Sequence, residues 1–293
     1  MSTTTRTAEQ RWSDFRTARD AALAEPHGWL TITSFQWLAD SPGALEGVPG
    51  TWTGTATHAA VTAESADGLT DLTSGRPVTG TITATLGDEE SLSWVAFGGT
   101  EGRRVVVELA RRAGRYAVRT RDAEAPTLTH FTGVPVFGYR PDLVVEGRFE
   151  PFTAPREEMI ATAHPDVPGK HRTVGEVVFR LPGEDGEFRL RASQEEAGSL
   201  AITFHDRTNG ASTAAWRKVV TRRPRPDGTV LLDFNRTINY PSAFSPFGTC
   251  PAPVAGNVLA APVEAGEKRP EDRRDGDRTA APRMRRVQSR VSG

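Results

Sequence analysis

The chain has 293 residues, of which 37% are hydrophobic and 25% charged, and its formal net charge is −1. That length supports one large or two ordinary domains around a substantial core, and the near-neutral balance gives no long-range pull toward nucleic acid or an acidic membrane. The single cysteine, Cys250, excludes an intrachain disulfide framework and any thiolate-clustered metal site.

The first residues, MSTTTRTAEQRW, lack the apolar stretch of a signal peptide. No apolar run of about 18 residues follows that would span a membrane. The expectation is a cytoplasmic protein with no membrane partner.

Residues 1–45 are expected to hold an N-terminal helix and a connecting segment. Residues 8–24 read as an amphipathic helix, with Trp12, Phe15, Ala18, Ala22 and Leu23 near one face and Arg11, Asp14, Arg16 and Asp20 around the rest. Pro26 and Gly28 end it. The following WLTITSFQWLAD predicts a short strand running into one helical turn before Ser41-Pro42-Gly43, with Trp29, Phe35 and Trp37 in the core.

Residues 46–150 change to short β runs separated by glycines. TWTGTATHAAVTA, TGTITATLG, SLSWVAFGG, RRVVVELARR and GRYAVRTRD alternate with the two-residue period of half-buried strands. In the last run Tyr116 and Val118 face one way, while Arg115, Ala117, Arg119 and Arg121 face the other, ending at Asp122. A second β series, LVVEGRFEPF, TVGEVVFRLPG, EFRLRAS, LAITFHDRTNG, AAWRKVVTRR and TVLLDFN, runs on through the second β region expected at 151–268. The regular spacing, with no long helical pattern between runs, predicts a mainly β chain: a helix, then antiparallel sandwich or barrel layers.

Residues 233–268 break that rhythm. Pro241, Pro246, Pro251, Pro253 and Pro262 rule out an ordinary helix. Phe234, Ile238, Tyr240, Phe244, Phe247, Val258 and Leu259 call for burial and so rule out a flexible linker. A long irregular segment with apolar anchors is a common place for binding or catalysis. Beyond it, residues 269–293 hold eight arginines against four acids, which reads as a disordered basic tail. The acids among them and the lack of aromatics for base stacking weigh against a nucleic-acid partner.

The chain has no Walker-type glycine loop, GxGxxG, HExxH, CxxC or GxSxG sequence. No cofactor is expected, and the scattered histidines predict no metal site. Asp206 stands at the end of LAITF, followed by the tight-turn pair Asn209-Gly210, so it is either a turn-closing carboxylate or an acid at the mouth of a β scaffold. Asp233, Asn235 and Arg236 leave the strand TVLL directly, and Glu264, Glu267 and Lys268 close the irregular segment. Such groups form either an internal clamp or part of a pocket.

The residues DFNRTINYPSAFSPFGTCPAPVAGNVLAAPVEAGEK resemble the C-terminal signature of the domain of unknown function family 1684. RTARDAALAEPHGWLTITSFQWL is similar to the family's opening, YAVRTRDAEAP to its arginine-aspartate strand end and HDRTNGASTAAWRKV to its turn. The resemblance covers about residues 12–268 and implies no activity. One departure has a chemical consequence: Ser242 stands where the family usually carries a first cysteine, so no cysteine pair with Cys250 is available.

Two functions fit these readings. In one, a β-rich pocket walled by residues 233–268 takes a small ligand, anionic if arginines hold it. Arg119, Asp122, Asn235, Arg236 and Lys268 would be its binding groups. Carboxylate-assisted hydrolysis would use Asp206, Glu264 or Asp233. In the other, the segment is a rigid binding surface of a non-catalytic interaction module, with Tyr240, Phe244 and Phe247 as exposed anchors.

Overall fold

The computed structural model describes residues 6–99 and 104–270. Helix α1 (Ala8–Leu23) starts in a capping box, in which Thr7 Oγ1 accepts from the Gln10 amide at 3.1 Å and the Gln10 side chain accepts from the Thr7 amide at 2.8 Å. Its packed face keeps Trp12, Phe15 and Leu23 of the expected one but is turned toward Arg16. Ala18 and Ala22 are exposed, whereas Arg16 and Leu23 are buried and Trp12, Phe15, Arg19 and Asp20 are half-buried beside them. The face is selected by a buried carboxylate, Glu267, which draws Arg16 and Arg19 inward.

A single 3-10 turn at Trp29–Thr31 comes next and leads into β1 (Ile32–Trp37). The expected order, strand then turn, is therefore reversed. The cause lies in Arg121, whose guanidinium donates to the carbonyls of His27 and Gly28 at 3.1 and 2.8 Å and fixes the chain before the strand begins. The core expectation for the three aromatics also fails. Trp29 is 39% exposed and Phe35 and Trp37 are only half-buried. The two tryptophan rings serve as platforms for arginines, with Arg121 4.9 Å from the Trp29 centroid and Arg115 4.1 Å from that of Trp37, while Phe35 meets Trp37 edge to face at 5.0 Å.

The first β series comprises β2 (Gly43–Leu45), β3 (Val48–Gly54), β4 (Ala59–Ala63), β5 (Thr70–Asp71), β6 (Gly80–Ala84), β7 (Ser91–Phe97), β8 (Val105–Arg112) and β9 (Arg115–Asp122). These strands form two antiparallel sheets, ordered β1-β9-β8-β7-β5 and β2-β3-β4-β6. Trp52 and Val61 of the smaller sheet meet Trp94, Val107, Leu109, Tyr116 and Val118 of the larger one in a common core. The Trp52 and Trp94 rings meet edge to face with centroids 5.7 Å apart. This is a sandwich, and the alternation of GRYAVRTRD places Arg119 and Arg121 on the outer face of the larger sheet.

A short helix α2 (Pro126–Thr129) leads to the second series: β10 (Val144–Ile160), β11 (Gly169–Phe179), β12 (Phe188–Gln194), β13 (Leu200–Phe204), β14 (Arg217–Val220), β15 (Thr229–Asp233) and β16 (Ile238–Asn239). They form one seven-stranded sheet in the order β15-β10-β11-β12-β13-β14-β16, antiparallel throughout. Strand β10 runs through residue 150, where the sequence reading put a domain boundary.

The proline-rich segment fills the concave side of this sheet. Phe234, Leu259, Ala261, Val263 and Ala265 pack with Val177, Phe179, Leu190, Ile202 and Phe204. Gly266 is needed for that path: its φ is +73°, and a Cβ there would fall 2.4 Å from the Thr237 carbonyl oxygen. The described residues are thus mainly β with one long helix, and the irregular segment lies largely in their interior. Of the basic tail expected at 269–293, residues 271–293 lie outside the described residues. Among the described residues no helix is long and apolar enough to cross a membrane.

Candidate ligand pocket and the clamps around it

The polar groups of the signature segment and its neighbours fall into separate places. Asp206 and Arg217 form an ion pair of 2.8 Å with both side chains fully enclosed. Asp206 Oδ1 accepts from the Thr208 amide (2.8 Å), from the Thr208 hydroxyl and from the Val263 amide (3.3 Å). Arg217 in turn donates to the carbonyls of Val263 (2.8 Å), Ala265 (2.7 Å) and Glu267 (3.1 Å). Burial lowers the Arg217 pKa from its ordinary value, with Asp206 acting in the opposite direction. The pair holds three alternate carbonyls of the segment in line, which is the work of a clamp.

Asn235 is buried and forms a second clamp. Its side chain accepts from the Arg140 amide at 2.7 Å and donates to the Arg140 carbonyl at 2.8 Å and to Asp233 Oδ1 at 3.0 Å. Asp233 also accepts from the Asn235 amide and pairs with Arg236 at 3.3 Å, while the Arg236 guanidinium lies 4.9 Å from the Phe15 ring centroid. Glu264 is exposed. Lys268 places its ammonium 4.8 Å from the Phe137 ring. Glu267, fully enclosed, takes Arg16 Nη1 at 2.8 Å, Arg19 Nε at 3.1 Å and the Asn239 amide at 2.6 Å.

Arg119 and Asp122 lie in the sandwich. Asp122 accepts from Arg104 at 3.1 Å on each oxygen, and this pairing holds its carboxyl below the usual range. Arg119 is buried beside Glu108 at 2.5 Å, and Arg121 reaches the other Glu108 oxygen. Burial pushes the Glu108 carboxyl up. The two guanidiniums more than offset this, and its pKa lies below the ordinary value of 4.5. Asp233, Asn235 and Arg236 therefore stand together, while Asp206, Glu264, Lys268 and the Arg119–Asp122 strand end each stand apart.

A cavity of about 780 Å³ opens elsewhere, between the end of α1, the stretch 126–135 and residues 242–246 of the signature segment. Its apolar wall is the small cluster of Leu30, Phe131, Val134 and Phe244, on which Leu23 of α1 also packs. The polar wall carries Asp20, Thr127, His130, Thr132, Ser242 and Ser245. Asp20 is held by the Val134 amide and Arg16 Nη2, both at 3.3 Å to Oδ1. Gly133, at φ +108°, brings the backbone against that carboxylate: a Cβ there would sit 3.1 Å from Oδ2. None of the eight candidate site residues is among the lining residues described.

Behind the cavity wall, Ser242 neighbours Cys250. Burial raises the Cys250 pKa, and hydrogen bonds from the Ser242 backbone and side chain act in the opposite direction. A cysteine at position 242 would therefore lie beside Cys250. The Tyr240 hydroxyl meets that of Thr203 at 2.6 Å, and burial is the main cause that pushes its pKa up to about 12. No group of three or more His, Cys, Asp or Glu side chains among the described residues is placed to hold a metal ion.

Residues 129–268 match the family described as "Protein of unknown function (DUF1684)". The solution NMR structure of an uncharacterized protein of Haloarcula marismortui is similar at 28% identity, over 48% of this chain and 78% of that one, with a TM-score of 0.40. No curated protein matches the chain.

Sequence reasoning missed the cavity because its wall is assembled from three distant stretches with no shared motif. The stretch HFTGVP carried a signal in hindsight: a glycine beside aromatic and apolar residues in a loop. Arg16 and Glu267 were also missed as partners, since 251 positions separate them.

Proposed function

We propose that this protein binds a small molecule in the cavity walled by residues 242–246 of the signature segment. The observation that carries the reading is the cavity itself: an apolar wall faced by four hydroxyls and the half-buried Asp20 carboxylate. Among the described lining residues there is no lysine or arginine, so the lining favours a ligand with an apolar body and hydroxyl or amine donors. Binding is preferred to hydrolysis, because Asp206 and Asp233 are engaged in internal clamps and Glu264 lies outside the cavity. The interaction-surface alternative has less support, since Tyr240, Phe244 and Phe247 are all half-buried and Phe244 packs on Leu30 and Val134.

The test is thermal unfolding of the full chain against a panel of small polyols, amines and amino sugars. A fitting ligand at a hundred times its Kd stabilises the folded state by about 2.7 kcal/mol. Thr132 is exposed at the cavity rim, so Thr132→Trp is expected to abolish that shift without changing the unliganded Tm. A panel with no stabilising member, or a shift that survives Thr132→Trp, overturns the reading.

A further inference from the structure

On the outer face of the five-stranded sheet, two buried arginines converge on one exposed hydroxyl. Ser91 Oγ accepts from Arg112 Nη2 at 2.8 Å and from Arg119 Nη2 at 3.2 Å. Ser91 itself is exposed while both arginines are buried, so the serine marks an opening from solvent onto paired guanidiniums. Cross-strand pairing sets Ala110 beside both Ser91 and Ala117. Trp37 continues that row beside Ala117, and both alanines are fully buried, so the approach from solvent to the two guanidiniums is at Ser91 itself.

Arg119 has hydrogen-bonding capacity left over. Among the described residues its side chain donates to Ser91 and Glu108 only, and its Nε, enclosed in a side chain that is 2% exposed, has no partner. Arg112 uses Nη1 for the carbonyls of Glu90 and Arg111 and Nε for the Thr249 hydroxyl at 3.4 Å. Among buried side chains here, Arg112, Arg119 and Arg121 outnumber the one carboxylate, Glu108. The exposed Glu89 lies 3.7 Å from Arg112, and Asp88 and Glu90 flank it on the loop before Ser91, turned to the Gly114 and Gly87 amides. A planar guanidinium pair around a small donor matches the geometry of a tetrahedral oxyanion.

We infer that Ser91, Arg112 and Arg119 form a seat for a phosphate-class oxyanion, either free or as the phosphoryl end of a small molecule. The anion takes the place of Ser91 Oγ as acceptor for both Nη2 groups and accepts a hydrogen bond from the serine. This seat is separate from the cavity. Trp29, against Arg119 and Arg121, and Leu30, in the cavity wall, are consecutive residues whose side chains serve the two places.

The test titrates the full chain with inorganic phosphate and, in a second arm, with methyl phosphate, at constant ionic strength set by chloride, and follows heat and 31P line width. Saturable binding in the millimolar range is expected, with the monoester tighter if the natural ligand is a phosphorylated molecule. Ser91→Asp puts a carboxylate in the seat and should weaken binding about tenfold or more, because it occupies both Nη2 donors and repels the anion, with the Tm unchanged or raised. Glu89→Gln should tighten it about two- to fivefold, as for removal of one surface charge. Thr132→Trp, which blocks the cavity, should leave phosphate binding as it is. Absence of saturable binding in both arms, or undiminished binding by Ser91→Asp, overturns the inference.

Discussion

Two buried arginines separate the halves of this molecule. Arg217, in the second sheet, directs its two Nη groups to Asp206 and to three carbonyls of the signature segment. Arg119, in the sandwich, bonds only to Glu108 and to an exposed serine among the described residues. Among the described residues each leaves its Nε without a partner, so that atom alone does not distinguish them. What distinguishes them is where the remaining donors go. The first arginine is surrounded by its own chain, and the second meets solvent through Ser91. A buried charge whose Nη donors all end on its own chain supports structure, whereas one whose donors reach an exposed hydroxyl is the better candidate for a ligand.

The largest effect should come from breaking the enclosed pair. Arg217→Met leaves Asp206 uncompensated and should cost about 3–5 kcal/mol, read as a drop in the urea midpoint. Adding Asp206→Asn should recover part of that loss. Arg119→Met should cost less, about 1.5–3 kcal/mol, because Glu108 keeps Arg121. Equal losses at the two sites would break the comparison.

A second, intermediate effect concerns the joint between the chain's ends. Glu267→Gln removes the charge held by Arg16 and Arg19 and should cost about 2–3 kcal/mol. Hydrogen exchange should speed up selectively in α1, and uniform acceleration throughout the chain would argue against a local clasp. The smallest effect is the ionisation of Tyr240. Its phenol has a raised pKa, so its contribution to stability is complete below pH 10 and is lost as pH rises from 10 to about 12. Absorbance at tyrosinate wavelengths should show a late-titrating fraction that disappears in Tyr240→Phe.

The β character was legible because alternation reports which face of a strand is buried, and runs such as RRVVVELARR and GRYAVRTRD state it without ambiguity. Even the row of arginines opposite Tyr116 and Val118 could be read this way. Their partner was not, because Glu108 sits on the neighbouring strand and only the register brings it to Arg119. The burial of much of residues 233–268 was legible from anchors such as Phe234 and Leu259, although Val258, expected inside with them, is 57% exposed. The destinations of their charged groups were not, since each depends on a residue far away in sequence: Asn235 on Arg140, Asp206 on Arg217 and Val263, Glu267 on Arg16. Helix α1 shows the same limit. Periodicity located it, but the choice of packed face was decided by a carboxylate at the other end of the chain.

That last contact has a consequence for biosynthesis. Arg16 and Glu267 are 251 positions apart, so α1 leaves the ribosome long before its counter-charge exists. At about 5–20 residues per second, the helix waits roughly 10 to 50 s for residue 267 to be translated. During that interval Leu23 can already meet Leu30 and Val134, but Trp12 lacks the Asn235 carbonyl and Phe15 lacks Arg236, so the docking of α1 is completed only with the signature segment.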